Sequence, residues 1–387
     1  MRILYLTSHF RPDLGAGAFR NSSLFEALLE QLHDDDFVHV ITTTPHRYQS
    51  YQKDGLKVER GPNYRIDRVE VPLHGSGFLE QVKAFTYYYQ GTMRLIKGQS
   101  YDRVFASSSL LLTAFLGKRC SEKNHCSLIL DVRDILADTI KDYLNSNIVL
   151  QRPVVWALGQ IERYSFGKAD HINLISGGFR NYFKKYPYPR YTEYTHGVDD
   201  LFIDAGKSDS NSPEKPYVIT YAGNIGLGQG LEKIIPEAAR RLGPDYKFRV
   251  IGDGGVRHLL ETSLQALGVR NVELLKPMDR EKLVKYYQSS TYLFIHLNNL
   301  KAFEKVLPSK LFEYAAFDKP IVAGVSGYAA EFIKQYLPNH ILFPPTDVNA
   351  LVTQLKSCPL QFSHRPVFTS QFSRRVIDSN FAKIIYL

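Results

Sequence analysis

The chain opens twice in the same way, and that repetition limits its architecture more than any other feature. "RILYLTSHF" (Arg2–Phe10) reads as a strand and runs into the loop "RPDLGAGAFR", then the helical "NSSLFEALLEQL", where Asn21, Ser22 and Ser23 are the expected caps. In the second half "YVITYAG" (Tyr217–Gly223) is a strand, "NIGLGQG" (Asn224–Gly230) a glycine loop and "LEKIIPEAARRL" a helix. The strands "HVITTT", "DRVFASSS" and "SLILDVRD" follow the first opening; "KFRVIGDGG", "NVELLKP", "YLFIHLN" and "KPIVAG" follow the second. Strands alternating with helices at this spacing predict mostly parallel sheets, so the fold class is α/β with two consecutive Rossmann-like units. The polar run "DAGKSDSNSPEKP" (Asp204–Pro216) reads as a linker or loop. Ligands of such sheets lie beyond the strand C-termini, so two facing units are expected to form a cleft.

A length of 387 residues suits about two domains. Cys120, Cys126 and Cys358 lack metal-ligand spacing, which suggests neither a disulfide framework nor a zinc site and fits a reducing compartment. The first strand begins too early for a signal peptide, and no run approaches the ~18 apolar residues of a membrane span. Cytoplasmic residence is the expectation. A net charge of +9 invites anionic partners, but the basic residues are scattered and no nucleic-acid module is recognisable, so nucleic acid is not expected. The twelve histidines show no ligand spacing, and Asp34–Asp36 reads as a solvated helix end; no metal and no cofactor are expected.

Three glycine-rich stretches could approach a ligand. "GAGAFR" (Gly15–Arg20) has the outline of a dinucleotide fingerprint, but Arg20 stands at the third glycine and the loop lies several residues past its strand. A flexible surface loop is the competing reading. "GNIGLGQG" and "IGDGG" (Ile251–Gly255) are adjacent in the second half, which suggests backbone passing close to a ligand. In "KVLPSKLFEYAAFDKP" (Lys305–Pro320), Pro308 suits the first helical position. Glu313 sits among Leu311, Phe312, Tyr314, Ala315 and Ala316, and a helix apolar all round is buried. A buried carboxylate needs a partner, either a structural lysine or backbone amide, or a ligand hydroxyl. The free amides of the helix that Pro308, Ser309 and Lys310 begin, with the charges of Lys305 and Lys310, would seat a diphosphate, Glu313 accepting from hydroxyls such as those of a ribose. The plainer alternative is a Pro-started helix with two solvated lysines.

The ordered series "GAGAFR", "DVRDILAD", "IERYSFGKAD", "HGVDDLF", "YAGNIGLGQGLEKII", "VIGDGG" and "VLPSKLFEYAAFDKPIVAG" resembles the family-four retaining glycosyltransferases of GT-B fold. The branch most similar assembles O-antigen, capsule and other bacterial surface polysaccharide. The resemblance implies an acceptor domain over 1–195, a donor domain over 196–369, and a last helix, 370–387, packing back on the first. It implies a metal-independent hexosyltransferase using a nucleoside-diphosphate sugar, UDP favoured over GDP, and a growing, lipid-linked glycan as acceptor. Glu313 matches the family's ribose-holding glutamate. Val306, Leu307, Pro308, Ser309 and Lys310 would meet the diphosphate, with Gly15, Gly17 and Arg20 approaching from the other domain. Gly252, with Pro277 and Met278, would lie near the base. Lys305 stands where the family has its first glutamate. Asn224 and Gln229, flanking Gly226, occupy the places of a basic pair, whose charge Lys305 and Lys310 would replace. On the acceptor side stand Ser107, Ser108 and Ser109, with Asp131, Arg133 and Asp134 on the rim. Asp134 would orient an acceptor hydroxyl and Arg133 bind a phosphate, against the alternative of an Asp–Arg salt bridge. Glu162 reads as a supporting helix residue and His196 as structural.

In "FLEQVKAFTYYYQGTMRLIKG" (Phe78–Gly98), Phe78, Val82, Phe85, Tyr89 and Met93 recur at helical spacing beside Lys83, Arg94 and Lys97. Either this is a core-facing helix or it lies on an anionic membrane, placing the enzyme on the inner face of the cytoplasmic membrane. Two other classes stay open: a nucleotide-sugar-modifying dinucleotide enzyme, and a non-catalytic nucleic-acid binder.

Overall fold

A computed structural model describes residues 1–13, 15–45, 55–72, 78–108, 111–143, 148–206 and 214–387, and the side chains of all of these except 78–79 and 148–150. Ser109 and residues 207–213 of the polar segment lie outside the described residues. The chain divides into two compact units, residues 1–195 with 375–387, and residues 196–374.

The first unit carries an eight-stranded sheet: β1 (Arg2–Thr7), β2 (Phe37–Thr43), β3 (Val58–Arg60), β4 (Tyr64–Val69), β5 (Arg103–Ser108), β6 (Ser127–Val132), β7 (His171–Leu174) and β8 (Arg190–Thr192). Their order is β3-β4-β2-β1-β5-β6-β7-β8, all parallel but for β3 against β4. Ile3, Leu4, Tyr5 and Leu6 are all wholly buried, as both faces of a central parallel strand must be. The two edges are three-residue strands, too short to offer a long unpaired ladder. The last helix, Arg374–Tyr386, sends Phe381, Ala382 and Ile385 into the same core as Ile3, Tyr5, Phe105 and Ile129.

The second unit carries β9 (Tyr217–Ala222), β10 (Tyr246–Ile251), β11 (Val272–Leu275), β12 (Tyr292–His296), β13 (Ile321–Gly324) and β14 (His340–Phe343), ordered β11-β10-β9-β12-β13-β14 and parallel throughout. Chain direction along the sheet reverses beside β1 in one unit and beside β9 in the other. Those are the places where open α/β sheets leave a crevice beyond the strand ends.

Two local readings need correction. The first helix runs Ala16–Leu29, with Gly15 as its N-cap, so Asn21 is an interior residue and no cap. Its amide donates to Thr7 Oγ1 (2.8 Å) and to the His9 carbonyl (2.9 Å), tying the helix to the end of β1. The helix after Pro308 is Lys310–Ala315, so Pro308 lies two residues before it. With six residues, that helix contributes little aligned dipole.

Candidate functional site

In the second unit the loop after β9 is held from both sides. From β10, the Asp253 carbonyl accepts from Ile225 N–H (2.9 Å). Gly252, at φ +150°, has its α-carbon pressed on the Gly223 carbonyl, where any Cβ would collide. Its N–H donates to Leu275 and its carbonyl accepts from Arg257 (2.6 Å). Gly252 therefore packs loop on loop, its own N–H and carbonyl taken up by the protein. The two glycine stretches sit side by side because each lets the other's backbone in.

From β12, the loop is gripped by His296 and Asn298. The Thr346 N–H donates to His296 Nε2 (2.9 Å), so Nδ1 carries the proton and donates to the Gln229 carbonyl (2.5 Å). Burial lowers this imidazole to about 4, with the Gln229 carbonyl opposing and Lys233 assisting. Asn298 donates its backbone N–H to Gly228 (2.8 Å) and its side-chain amide to Leu227 (2.9 Å). Inside the loop, Asn224 Nδ2 and Gly226 N–H both donate to Gln229 Oε1, at 3.0 and 3.2 Å. Asn224 and Gln229 thus close the loop on each other.

Beyond β12 a one-turn segment, Lys301–Lys305, leads to the short helix Lys310–Ala315. Glu313 is 5% exposed. Its Oε2 accepts from Lys310 Nζ (2.6 Å) and Tyr287 OH (3.3 Å), and Lys310 also reaches that hydroxyl (3.4 Å). Among the described residues Glu313 Oε1 has no hydrogen-bond partner. Burial first, and then the Glu313 charge, hold the Tyr287 phenol well above its ordinary value. The neighbouring Tyr314 hydroxyl accepts from Ala222 N–H at the end of β9 (2.9 Å), fixing the short helix to the strand that starts the glycine loop. Lys305, Val306, Pro308 and Ser309 are half-buried and Leu307 buried; Met278 is half-buried in the turn after β11. Of the residues read from sequence, the second unit brings together Lys310 and Glu313, and separately Asn224, Gly226 and Gln229. Tyr287, Arg280, His296 and Asn298 were missed. Arg280 pairs with Asp199, where the chain enters the unit, and opens the helix Arg280–Gln288 that carries Tyr287. Asp199 also takes Arg374 Nε (2.5 Å); burial opposes its ionisation, but the two arginines bring its carboxyl below the ordinary value.

In the first unit, Gly15, Gly17, Ser108, Arg133 and Asp134 gather at the C-terminal ends of β1, β5 and β6. Arg133 donates its N–H to Ser108 (3.1 Å), and a Cβ on Gly17 would lie 2.7 Å from Arg133 Nη1. The guanidinium therefore occupies the space that glycine leaves. The Asp134 side chain reaches solvent, and the desolvation it still undergoes pushes its carboxyl up to about 6, against the Ile135 N–H and the Arg133 charge. Arg20, Asp131 and Ser107 are corrections, since all three are wholly buried. Arg20 Nε and Nη2 donate to Asp131 (3.1 and 3.2 Å), Nη1 to the Thr195 carbonyl (2.7 Å) and Nη2 to that of Tyr194 (2.9 Å). Asn173 (2.7 Å) and Ser107 (3.3 Å) complete the Asp131 carboxylate. These groups spend their capacity on each other and on the chain where the first unit ends, leaving none for a donor or acceptor.

Of the two alternatives for the helix Phe78–Leu95, its packing agrees with the core-facing one: Ala84, Tyr88 and Thr92 are buried, Phe85 and Tyr89 are half-buried, and Tyr89 lies against Phe115 (6.4 Å between rings) of the neighbouring helix Leu111–Asn124. The exposed side is Glu80, Lys83, Thr86, Tyr87, Gln90 and Arg94, mixed in charge and mostly polar. Among the described residues no cluster of His, Cys, Asp and Glu could hold a metal ion, and no helix is long and apolar enough to cross a membrane.

Residues 203–359 match the family described as glycosyl transferases group 1. A putative colanic acid biosynthesis glycosyl transferase of Escherichia coli K12, WcaI, is 27% identical over 183 residues, 47% of this chain and 44% of that protein. The match thus spans under half the length of the curated relative. HepE of Anabaena, solved with UDP and glucose, aligns with a TM-score of 0.66 at 16% identity, over 100% of this chain and 99% of that one. WaaG, a glycosyltransferase involved in lipopolysaccharide biosynthesis, aligns with a TM-score of 0.67 at 15% identity, over 99% of both chains. At these identities the likeness is one of fold, the two-unit parallel α/β fold of GT-B glycosyltransferases.

Proposed function

We propose that this chain, whose residues 203–359 form a group 1 glycosyltransferase domain, moves a sugar from a nucleoside-diphosphate donor to a hydroxyl of a bacterial surface glycan under assembly. UDP is the favoured nucleotide, because a structural neighbour was solved with UDP and with UDP-glucose. The surface glycan is supported by the similarity to WcaI and WaaG. The observation that carries the reading is Glu313. A carboxylate this buried, with Oε2 held by Lys310 and Tyr287 and Oε1 left over, is built to accept from a ligand hydroxyl such as that of a ribose. Lys310, whose ammonium pairs with Glu313, supplies a cation for the diphosphate from the same segment, and internal hydrogen bonds hold the glycine loop in place beside the end of β9.

Catalysis on this reading is electrostatic. Positioned amides and lysines stabilise charge on the departing diphosphate, the anomeric configuration is retained, and no metal takes part. Asp134 orients the acceptor hydroxyl and Arg133 binds an acceptor phosphate, as in a lipid-linked glycan. Thermal melting with UDP, GDP and their sugars tests the donor: UDP compounds are expected to raise the midpoint, since a ligand of the native state stabilises it by mass action. No shift with any nucleotide would overturn the assignment. Proton NMR of the product anomer tests retention, and activity in excess chelator tests metal independence.

A further inference from the structure

The helix that presents Glu313 is six residues long, Lys310–Ala315, and a helix of that length does not hold itself together in water. Packing holds its sides. Tyr314 is tied to Ala222 at the end of β9 (2.9 Å), and the Phe312 ring lies among Phe332 (5.8 Å), Phe368 (5.9 Å) and Phe372 (5.6 Å). The C-terminal end is a separate matter, because a helix leaves its last carbonyls without donors of its own. Residues 316–320, which follow, are all buried, so the carbonyls there need donors from the protein.

Arg365 supplies them. Its Nη1 donates to the Phe317 carbonyl and, at 3.5 Å, to that of Ala315; its Nη2 donates to the Lys319 carbonyl (2.8 Å) and to Asn339 Oδ1. Asn339 in turn donates to the carbonyls of Asp318 (2.8 Å) and Gln361 (3.1 Å), and the Ser363 N–H donates to Asp318 (2.8 Å). Among the described residues every acceptor of the guanidinium is an amide oxygen, of the backbone or of Asn339. Burial brings the group down to about 10, with Asp318 opposing, so it stays a cation at neutral pH. A buried cation that meets only amide oxygens is costly. An apolar side chain would fill the same space at less cost and leave the carbonyls of Ala315, Phe317 and Lys319 unpaired. Arg365 also stands at the N-cap of the helix Pro366–Gln371, which carries Phe368 against Phe312. One residue thus closes the Glu313 helix with its side chain and opens, with its backbone, the segment that packs on it.

We propose that Arg365 is a positioning residue for the donor: by holding the carbonyls of Ala315, Phe317 and Lys319 it fixes the turn that follows Glu313, and with it the direction in which Glu313 Oε1 meets a ligand hydroxyl. This role rests on the reading of Glu313 as the acceptor of a donor hydroxyl. Arg365 acts through that carboxylate and makes no contact of its own with the ligand.

Calorimetric titration of UDP into the full chain and its variants tests the role. Arg365→Met, which fills the space without donors, should bind UDP about tenfold more weakly, the size of coupling between residues of one hydrogen-bonded network. Arg365→Lys keeps the cation but not the planar fork; it should lose about threefold and carries the test if Arg365→Met does not fold. Either substitution made in Glu313→Gln should add less than about twofold, because the carboxylate it orients is gone. Leu264→Ala, a core truncation on another helix of the same unit, should lower the melting point and leave UDP affinity unchanged, which separates positioning from general loss of stability. Deuterium exchange supplies a readout without ligand: the amides of residues 311–317 should exchange faster in the Arg365 variants, and those of the helix Leu231–Leu242 should not. Unchanged UDP affinity in folded Arg365 variants, an equal loss in the Glu313→Gln background, or unchanged exchange at residues 311–317 would each overturn the proposal. The first of these removes the role of Arg365 and leaves the donor reading standing. A full chain that binds no UDP would overturn the donor reading, and the role of Arg365 with it.

Discussion

At the scale of single residues, neighbours one turn away are readable and neighbours across the fold are not. Glu313 and Lys310 stand three apart on one short helix, so the structural lysine that a buried carboxylate calls for lies within one turn of it. Tyr287, the second donor to the same oxygen, is 26 positions away and gave no local signal. Asp134 was readable as a strand-end acid, but its raised carboxyl was not, because that depends on desolvation in the folded chain. The shift carries a signed prediction. If ionised Asp134 orients the acceptor hydroxyl, kcat/KM should fall as pH drops through about 6, where the carboxyl takes up its proton, and stay level above it. Asp134→Asn should remove that limb of the pH profile; a limb persisting in the variant would take the role away from this residue.

At the scale of elements, buried polar groups decide which pieces are fixed. Arg20 in "GAGAFR" reads from sequence as a broken glycine motif, since its partner Asp131 lies 111 positions off on another strand. Removing one partner of a buried ion pair leaves a charge stranded, so Arg20→Ala should cost roughly 3–5 kcal/mol in urea unfolding. Arg20→Met combined with Asp131→Leu should recover most of that. A loss under 1 kcal/mol in the single variant would contradict the buried network. His296 makes an equally specific case. Its folded imidazole sits near 4 against an ordinary 6.5, so the unfolded chain binds the extra proton first. Stability should therefore be full above about pH 6.5 and decline towards pH 4, by about 3 kcal/mol from this group alone. His296→Gln should flatten that part of the curve, and an unchanged slope would show that this imidazole titrates alike in the folded and unfolded chain. The glycine loop depends on this ring, which donates to Gln229 and accepts from Thr346.

At the scale of the whole molecule, the doubled strand–loop–helix opening was enough to read two parallel α/β units, because central strands such as Ile3–Leu6 and Leu293–Ile295 are apolar on both faces. The strands that escaped are the peripheral ones. "YRIDRV" of β4 alternates charge, "HINL" of β7 and "HILF" of β14 are four residues long, and β8 has three. Such edges are defined by the strand beside them more than by their own composition. Donor binding turns on Glu313 Oε1, the oxygen not held by Lys310 and Tyr287. Calorimetric titration of UDP into the full chain, Tyr287→Phe and Glu313→Gln tests it most directly. The expected result is binding by the full chain, weakened about fivefold in Tyr287→Phe, which loses the hydroxyl that holds Glu313 Oε2 but no contact to the ligand, and tenfold or more in Glu313→Gln, where a charged acceptor is lost. Equal affinity in all three folded proteins, or no binding of UDP at all, would contradict it.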